Sequence, residues 1–178
     1  MSEDPQRVIA FWSKAGPAAW FAADPAFDAE ISAQFGTLHA QAAAGALSEW
    51  EQSPEGALAL LLLLDQFSRN IYRGKPEAFA QDQMAQAIAA RAIEQRFDHK
   101  APPALRGFFY MPFMHAEDIA LQRRSVHFFA AQAHKEQLPY ALHHRDAILR
   151  FGRFPHRNAV LGRISTPEEL AWMEANPE

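Results

Sequence analysis

Apolar positions along this chain recur at steps of three and four, and almost nothing alternates as a half-buried strand would. Proline and glycine punctuate the pattern. Asp4-Pro5 fits an N-cap and first helical position, predicting a short helix through Val8, Ile9, Phe11 and Trp12 that Gly16-Pro17 ends. Asp24-Pro25 repeats the device, and Phe27, Ile31, Phe35, Leu38 and Ala42 then form one apolar stripe up to Gly45. Ser53-Pro54-Glu55 opens a third helix whose leucine run is apolar all round, as a central helix would be, and Gly74 and Pro76 close it. A fourth, alanine-rich helix is expected from about Glu77 to Phe97, with Pro102-Pro103 after it. A short segment carrying Phe108, Phe109 and Tyr110 breaks at Pro112. Further helices follow from near Ala116 to Glu136 and, after Pro139, through His143 to Phe151. Thr166-Pro167-Glu168-Glu169 is a last N-cap, opening a short helix with Leu170 and Trp172. The expectation is an all-α chain of about seven or eight helices in antiparallel hairpins or a bundle. No clean pair of repeats aligns at the ~34-residue tetratricopeptide period.

The length of 178 residues suits a single all-helical domain over residues 1–178. A net charge of −4 argues against general affinity for nucleic acid or for an anionic membrane. The charge is uneven, however. His143 to Arg163 holds Arg145, Arg150, Arg153, Arg157 and Arg163 against the single acid Asp146, so this stretch is +4 and the remainder −8. Arginine without lysine favours planar, two-pronged contacts to carboxylate or phosphate, whether from a ligand or from the chain itself. The chain has no cysteine, which removes disulfides, thiol catalysis and thiolate-bound metal. The first residues lack the pattern of a signal peptide, and the longest apolar run, Leu58 to Leu64, is far short of the ~18 residues of a membrane span. A cytoplasmic protein is the expectation.

Three polar constellations stand out. In the third helix, Asp65 lies four residues before Arg69 and Gln66 four before Asn70, directly after five leucines, so at least one of these rows should face protein. In Met111-Pro-Phe-Met-His-Ala-Glu-Asp118, His115, Asp118 and Gln122 have the spacing of one helical face, with Glu117 beside them. A histidine next to carboxylates can orient a general base or bind metal, but acids are also favoured in any first helical turn. One histidine and two acids are a sparse set for a metal, so no metal or cofactor is expected. In the third constellation His143, Asp146, Arg150 and Arg153 follow steps of three and four as a polar row, and His156, Arg157 and Asn158 stand on the proline-bent backbone beyond it. No serine–histidine motif, glycine-rich phosphate loop or H-E-x-x-H string adjoins them.

These blocks resemble a largely bacterial family known as domain of unknown function 924. The resemblance covers nearly the whole chain. It runs through Val8-Ile-Ala-Phe-Trp12, Trp20-Phe21, Leu64-Asp-Gln-Phe-Ser-Arg-Asn-Ile-Tyr-Arg-Gly74 and Phe109-Tyr-Met-Pro-Phe-Met-His-Ala-Glu-Asp118. It closes on His144-Arg-Asp146, Arg150-Phe-Gly-Arg-Phe-Pro-His-Arg-Asn158 and Leu161-Gly-Arg163. The resemblance implies a tetratricopeptide-like stacking of helical hairpins and carries no established activity. Ala116 stands where many relatives are expected to have serine.

The leading expectation is that Asp65, Gln66, Arg69, Asn70, His115, Glu117, Asp118, Asp146, Arg153, His156, Arg157 and Asn158 line one polar cleft. Its ligand would be a small anion or an acidic or C-terminal peptide. Arg69, Arg153 and Arg157 would hold the ligand, Asn70 and Asn158 would orient it, and Asp65, Asp118 and Asp146 would position the arginines. One alternative is a hydrolase, with or without metal, in which His115 or His156 acts as general acid–base beside a carboxylate. The other is a protein-interaction scaffold in which these groups form a structural ion network.

Overall fold

Proline-led caps at four sites start the helices where the sequence predicts them. The computed structural model describes residues 4–131 and 136–176, and all regular elements among them are helical. They include α1 (Pro5–Ala15), α2 (Pro17–Trp20), α3 (Pro25–Ala43), α4 (Pro54–Leu61), α5 (Ser68–Ile71), α6 (Asp82–Glu94), α7 (Met111–Met114), α8 (Ile119–Ala131), α9 (Leu138–Phe151) and α10 (Pro167–Ala175). The side chains of Asp4, Asp24, Ser53 and Thr166 accept the N–H groups of Gln6, Ala26, Gly56 and Glu169, and a proline follows each cap.

Ten α-helices among the described residues exceed the seven or eight expected. The excess comes from α2, α5 and α7, each of four residues. Gly16, at φ 74°, divides α2 from α1, and α5 continues from α4 through a π-helical turn at Leu62–Phe67. Helix boundaries differ from expectation at two more places. The fourth helix begins only at Asp82, after a 3₁₀ turn at Pro76–Phe79. It ends before Phe97 because Arg96 takes the left-handed conformation, φ 59°, and the N–H groups of Arg96 and Phe97 bond back to Ile93 and Ala92 at 2.9 Å. That is a Schellman ending with arginine in glycine's place, so no glycine marks it in the sequence. Helix α8 starts at Ile119 and not near Ala116; of its expected extension to Glu136, residues 132–135 lie outside the described residues and Glu136 is in a turn. Gly152, at φ 69°, ends α9 and donates to Ile148.

Backbone contacts divide the chain into two compact units. The first takes in the described residues up to Arg73 together with Glu77–Pro112, and the second Gly74–Pro76 with the described residues from Phe113 onward. In the first, α4 packs against α1, α6 and the 3₁₀ turn Ser48–Gln52, while α3 packs on the π turn and α5. Leu58 and Leu60 to Leu64 are buried on every side, and the rings of Trp12, Phe35, Phe67 and Phe108 close the core around them. In the second, α8 and α9 pack together, and Ala147, Ile148 and Phe154 form a small core against Ile119 and Trp172. Among the described residues no helix is long and apolar enough to cross a membrane.

Gly56 marks the closest backbone approach, because a Cβ there would stand 2.1 Å from the carbonyl oxygen of Trp50. The Gly56→Ala variant should therefore lose roughly 2–3 kcal/mol of stability in urea unfolding, although alanine is the better helix former.

Candidate functional site

The residues expected to share a cleft fall into two sets, Asp65, Gln66, Arg69 and Asn70 in the first unit and the remainder in the second. In the first unit the π turn carries Asp65 and Gln66 at its end, and both are buried, as is Asn70. Arg69 Nη1 donates to the Asp65 carbonyl at 2.9 Å and lies 3.2 Å from its carboxylate. Two further Arg69 N–H groups fork onto Asp82 at 3.0 and 3.1 Å. Burial opposes the guanidinium charge, but Asp65 and Asp82 outweigh it and hold the Arg69 pKa above its ordinary value. Gln66 donates to Asp65 at 2.6 Å and does not pair with Asn70 as the four-residue spacing suggests. Asn70 instead donates to Asp28 at 2.8 Å, beside a two-pronged contact from Arg73.

A serine–histidine pair also lies here, assembled from residues distant in sequence. His39 Nε2 sits 2.7 Å from Ser68 Oγ, and that hydroxyl donates to Leu64 at 2.7 Å. With the hydroxyl proton committed to the carbonyl, His39 Nε2 must carry the proton and donate. Both residues are buried, and burial lowers the His39 pKa, so the pair serves as core packing between α3 and α5.

In the second unit, Phe154 is pinned through its backbone. Its N–H donates to Glu117 at 2.7 Å, and its carbonyl accepts from Arg163 at 3.0 Å. Arg163 in turn forks onto the Glu117 carboxylate at 2.7 and 2.8 Å. Burial pushes the Glu117 pKa up, but the bonds from Arg163 and Phe154 overcome it and leave the value lowered. Arg153 makes the same kind of fork onto Glu169, at 2.7 and 2.9 Å, and also donates to the Ile164 carbonyl. Asn158 joins Glu169 at 3.2 Å, and the Thr166 N–H joins it at 2.8 Å through the α10 capping box. Chiefly through the Arg153 bonds, the Glu169 pKa is held at about 2.

The acids that were to position arginines do something else. Asp118 accepts the Leu121 N–H at 2.9 Å and so caps α8, while exposed Asp146 pairs with its neighbour Arg145. Residues 115–118 are not helical, so His115, Asp118 and Gln122 do not share a helix face, and buried Gln122 donates to the carbonyls of Met114 and Ala116. The polar row on α9 also ends early, since Arg153 lies beyond Gly152 and Arg150 pairs with Glu168. His156 packs edge-on against Trp172, and its Nε2 is buried without a hydrogen-bond partner.

The remaining groups gather around His144, which sequence reasoning left off the candidate set. Its ring centre lies 6.2 Å from His115, 6.3 Å from His143 and 5.4 Å from Phe154. Arg157 lies over the same Phe154 ring, 4.5 Å from its centre, and donates to the His115 carbonyl at 3.0 Å. His144 Nδ1 faces the Tyr140 carbonyl at 2.8 Å, so the proton sits there and Nε2 keeps its lone pair. Burial, then His115, His143 and Arg157, depress the His144 pKa to about 4. Among the described residues no three histidine, aspartate or glutamate side chains gather as a metal site.

The sequence model of a family described as bacterial protein of unknown function, DUF924, matches residues 8–177. The chain belongs to the DUF924 family. It is similar, at 43% identity and a TM-score of 0.91, to the solved structure of a protein of unknown function from Agrobacterium tumefaciens, with 97% of each chain covered. No curated protein matches it. The neighbour shares the all-helical fold, and neither it nor the DUF924 description names a reaction.

Two outcomes follow from the charges. Arg69→Ala leaves Asp65 and Asp82 without their guanidinium and should lower stability by roughly 3–5 kcal/mol in urea unfolding. His144 stays neutral in the folded chain below the pH where an unfolded histidine ionises, so unfolding takes up a proton there. Its titration costs the fold nothing above about pH 6.5 and destabilises it progressively as pH falls toward about 4, by ~3 kcal/mol at most. Unfolding curves across that range should be flatter for His144→Gln, whereas the loss from Glu169 appears only lower, between 4.5 and about 2.

Proposed function

We propose that this DUF924 protein binds a small oxyanion or the carboxylate of an acidic or C-terminal peptide in its second unit, where His144, His115, His143 and Arg157 meet. The observation that carries this reading is the arrangement around Phe154. One guanidinium and three imidazoles gather there, while the nearby carboxylate, Glu117, is already gripped by Arg163 and the Phe154 N–H. Arg157 and Arg163 both act on Glu117, and the imidazoles add hydrogen-bonding groups at the same corner. Arginine stacked on an aromatic ring keeps a fixed plane, which suits two-pronged contact with carboxylate or phosphate.

The arginines with carboxylate forks belong to a second role. Arg69, Arg153 and Arg163 each hold an acid of the chain with two N–H groups, which favours a structural ion network at those positions. Of the arginines expected to hold the ligand, Arg157 is the one stacked on the Phe154 ring beside these imidazoles, and it is assigned to binding.

Calorimetric titration with sulfate, inorganic phosphate and a short peptide ending in a free carboxylate or its amide tests the assignment. Binding of at least one anion, weakened about tenfold or more by Arg157→Gln with the fold intact by circular dichroism, is the expected result. The absence of binding by every anion in the panel, or equal affinity in the variant, would overturn it.

A further inference from the structure

Resting on the anion-binding reading of the second unit, we infer that Gln122 is a positioning residue of that site. Its amide fixes the turn that carries His115 and, through the His115 carbonyl, the guanidinium of Arg157. Residues 115–118 are not helical, and the carbonyls of Met114, His115 and Ala116 accept from side chains. Gln122 Nε2 donates to Met114 at 2.7 Å and to Ala116 at 2.8 Å. Arg157 Nη2 donates at 3.0 Å to the His115 carbonyl, which lies between those two in sequence. Both Gln122 contacts are to carbonyl oxygens, so the donor end of the amide must face the turn.

Gln122 is wholly buried, and its Oε1 accepts no hydrogen bond from the chain. Methionine would fill nearly the same volume without that cost, so the two donations must outweigh it. They do more than satisfy the backbone of the turn. Helix α8, which carries Gln122, packs against α9, which carries His143 and His144. The amide therefore sets the His115 turn against this helix pair, and with it the 6.2 Å between the His115 and His144 rings. Arg157 is located from two sides, by the His115 carbonyl and by the Phe154 ring centre 4.5 Å from its guanidinium. A shift of the turn moves the first of these anchors, and a planar fork tilted away from its ligand loses the two-pronged contact. Turn and ligand are thereby coupled. Whatever factor the Gln122 contact adds to anion affinity, a bound anion must return to the contact.

The probes are sulfate, inorganic phosphate and the peptide with a free carboxylate, each titrated by calorimetry at a temperature where the variants are folded by circular dichroism. Gln122→Met should weaken whichever of them binds by roughly tenfold. Ser125→Ala changes another fully buried polar residue of α8, one turn away, and touches none of the three carbonyls. It should bind as the parent does, whatever it does to stability. In the unaltered protein both Nε2 protons of Gln122 should exchange slowly with solvent, and a saturating anion should slow them by a further factor of roughly ten, read by NMR. That measurement decides the question even where Gln122→Met fails to fold. Equal affinity in folded Gln122→Met, or Gln122 exchange that is unchanged when the anion binds, would overturn the inference and leave anion binding standing. An equal loss in Ser125→Ala would overturn it as well, because the packing of α8 and not the turn would then set the affinity. Failure of all three probes to bind the parent would remove the anion reading, and this role of Gln122 with it.

Discussion

Guanidinium groups hold the buried carboxylates of Asp65, Asp82 and Glu169, and those ties organise both units. In the first, Arg69 joins Asp65 on the π turn to Asp82 at the start of α6, so the irregular stretch of one helix is fixed to the entry of another. In the second, Arg153 joins the end of α9 to Glu169 inside the capping box of α10. Glu117, Arg163 and the Phe154 backbone form the third such tie. Each fork satisfies charge and backbone polarity at once, and this is what allows non-helical segments to be packed. Two arginines of the +4 stretch, Arg153 and Arg163, are the donor half of the second and third ties and stand after α9, where regular backbone bonding stops.

Arginine and histidine divide the electrostatic work in the second unit. Arginine stays ionised whatever its surroundings, so Arg153 and Arg163 can hold Glu169 and Glu117 at any pH where those acids are charged. Histidine ionises according to its neighbours, and around His144 they oppose ionisation. Burial first, and then the neighbouring His115, His143 and Arg157, disfavour the charged form of this imidazole. A fixed scaffold of guanidinium–carboxylate pairs thus surrounds a ring whose charge is conditional.

Much of the helical layout is legible in the sequence because the signals that create it are local. Asp4-Pro5, Asp24-Pro25, Ser53-Pro54 and Thr166-Pro167 all cap where expected, and the leucine run is buried all round. What escapes is set by partners remote in the chain or by residues in atypical roles. Arg96 ends α6 in the conformation glycine usually supplies. The π turn changes the neighbours of Gln66 and Asn70, so only the Asp65–Arg69 half of the expected pairing forms. Asp82, Asp28 and Ser68 acquire their partners from across the first unit, and spacing along one helix cannot reveal them. Polarity beside an apolar run does not separate a ligand-facing arginine from one already clasping an acid.

Burial and partner, not residue type, separate those cases. Glu169 is almost wholly covered and accepts from Arg153, Asn158 and Thr166, so its charge is answered within the chain. Asp118 is answered by the helix it caps, and Asp146 by its neighbour Arg145. Around Phe154, Glu117 is held by Arg163 and the Phe154 N–H, and Arg157 and three imidazoles stand at the same corner. A negative ligand at this corner of the second unit would meet a guanidinium stacked on Phe154 and imidazoles able to take up a proton.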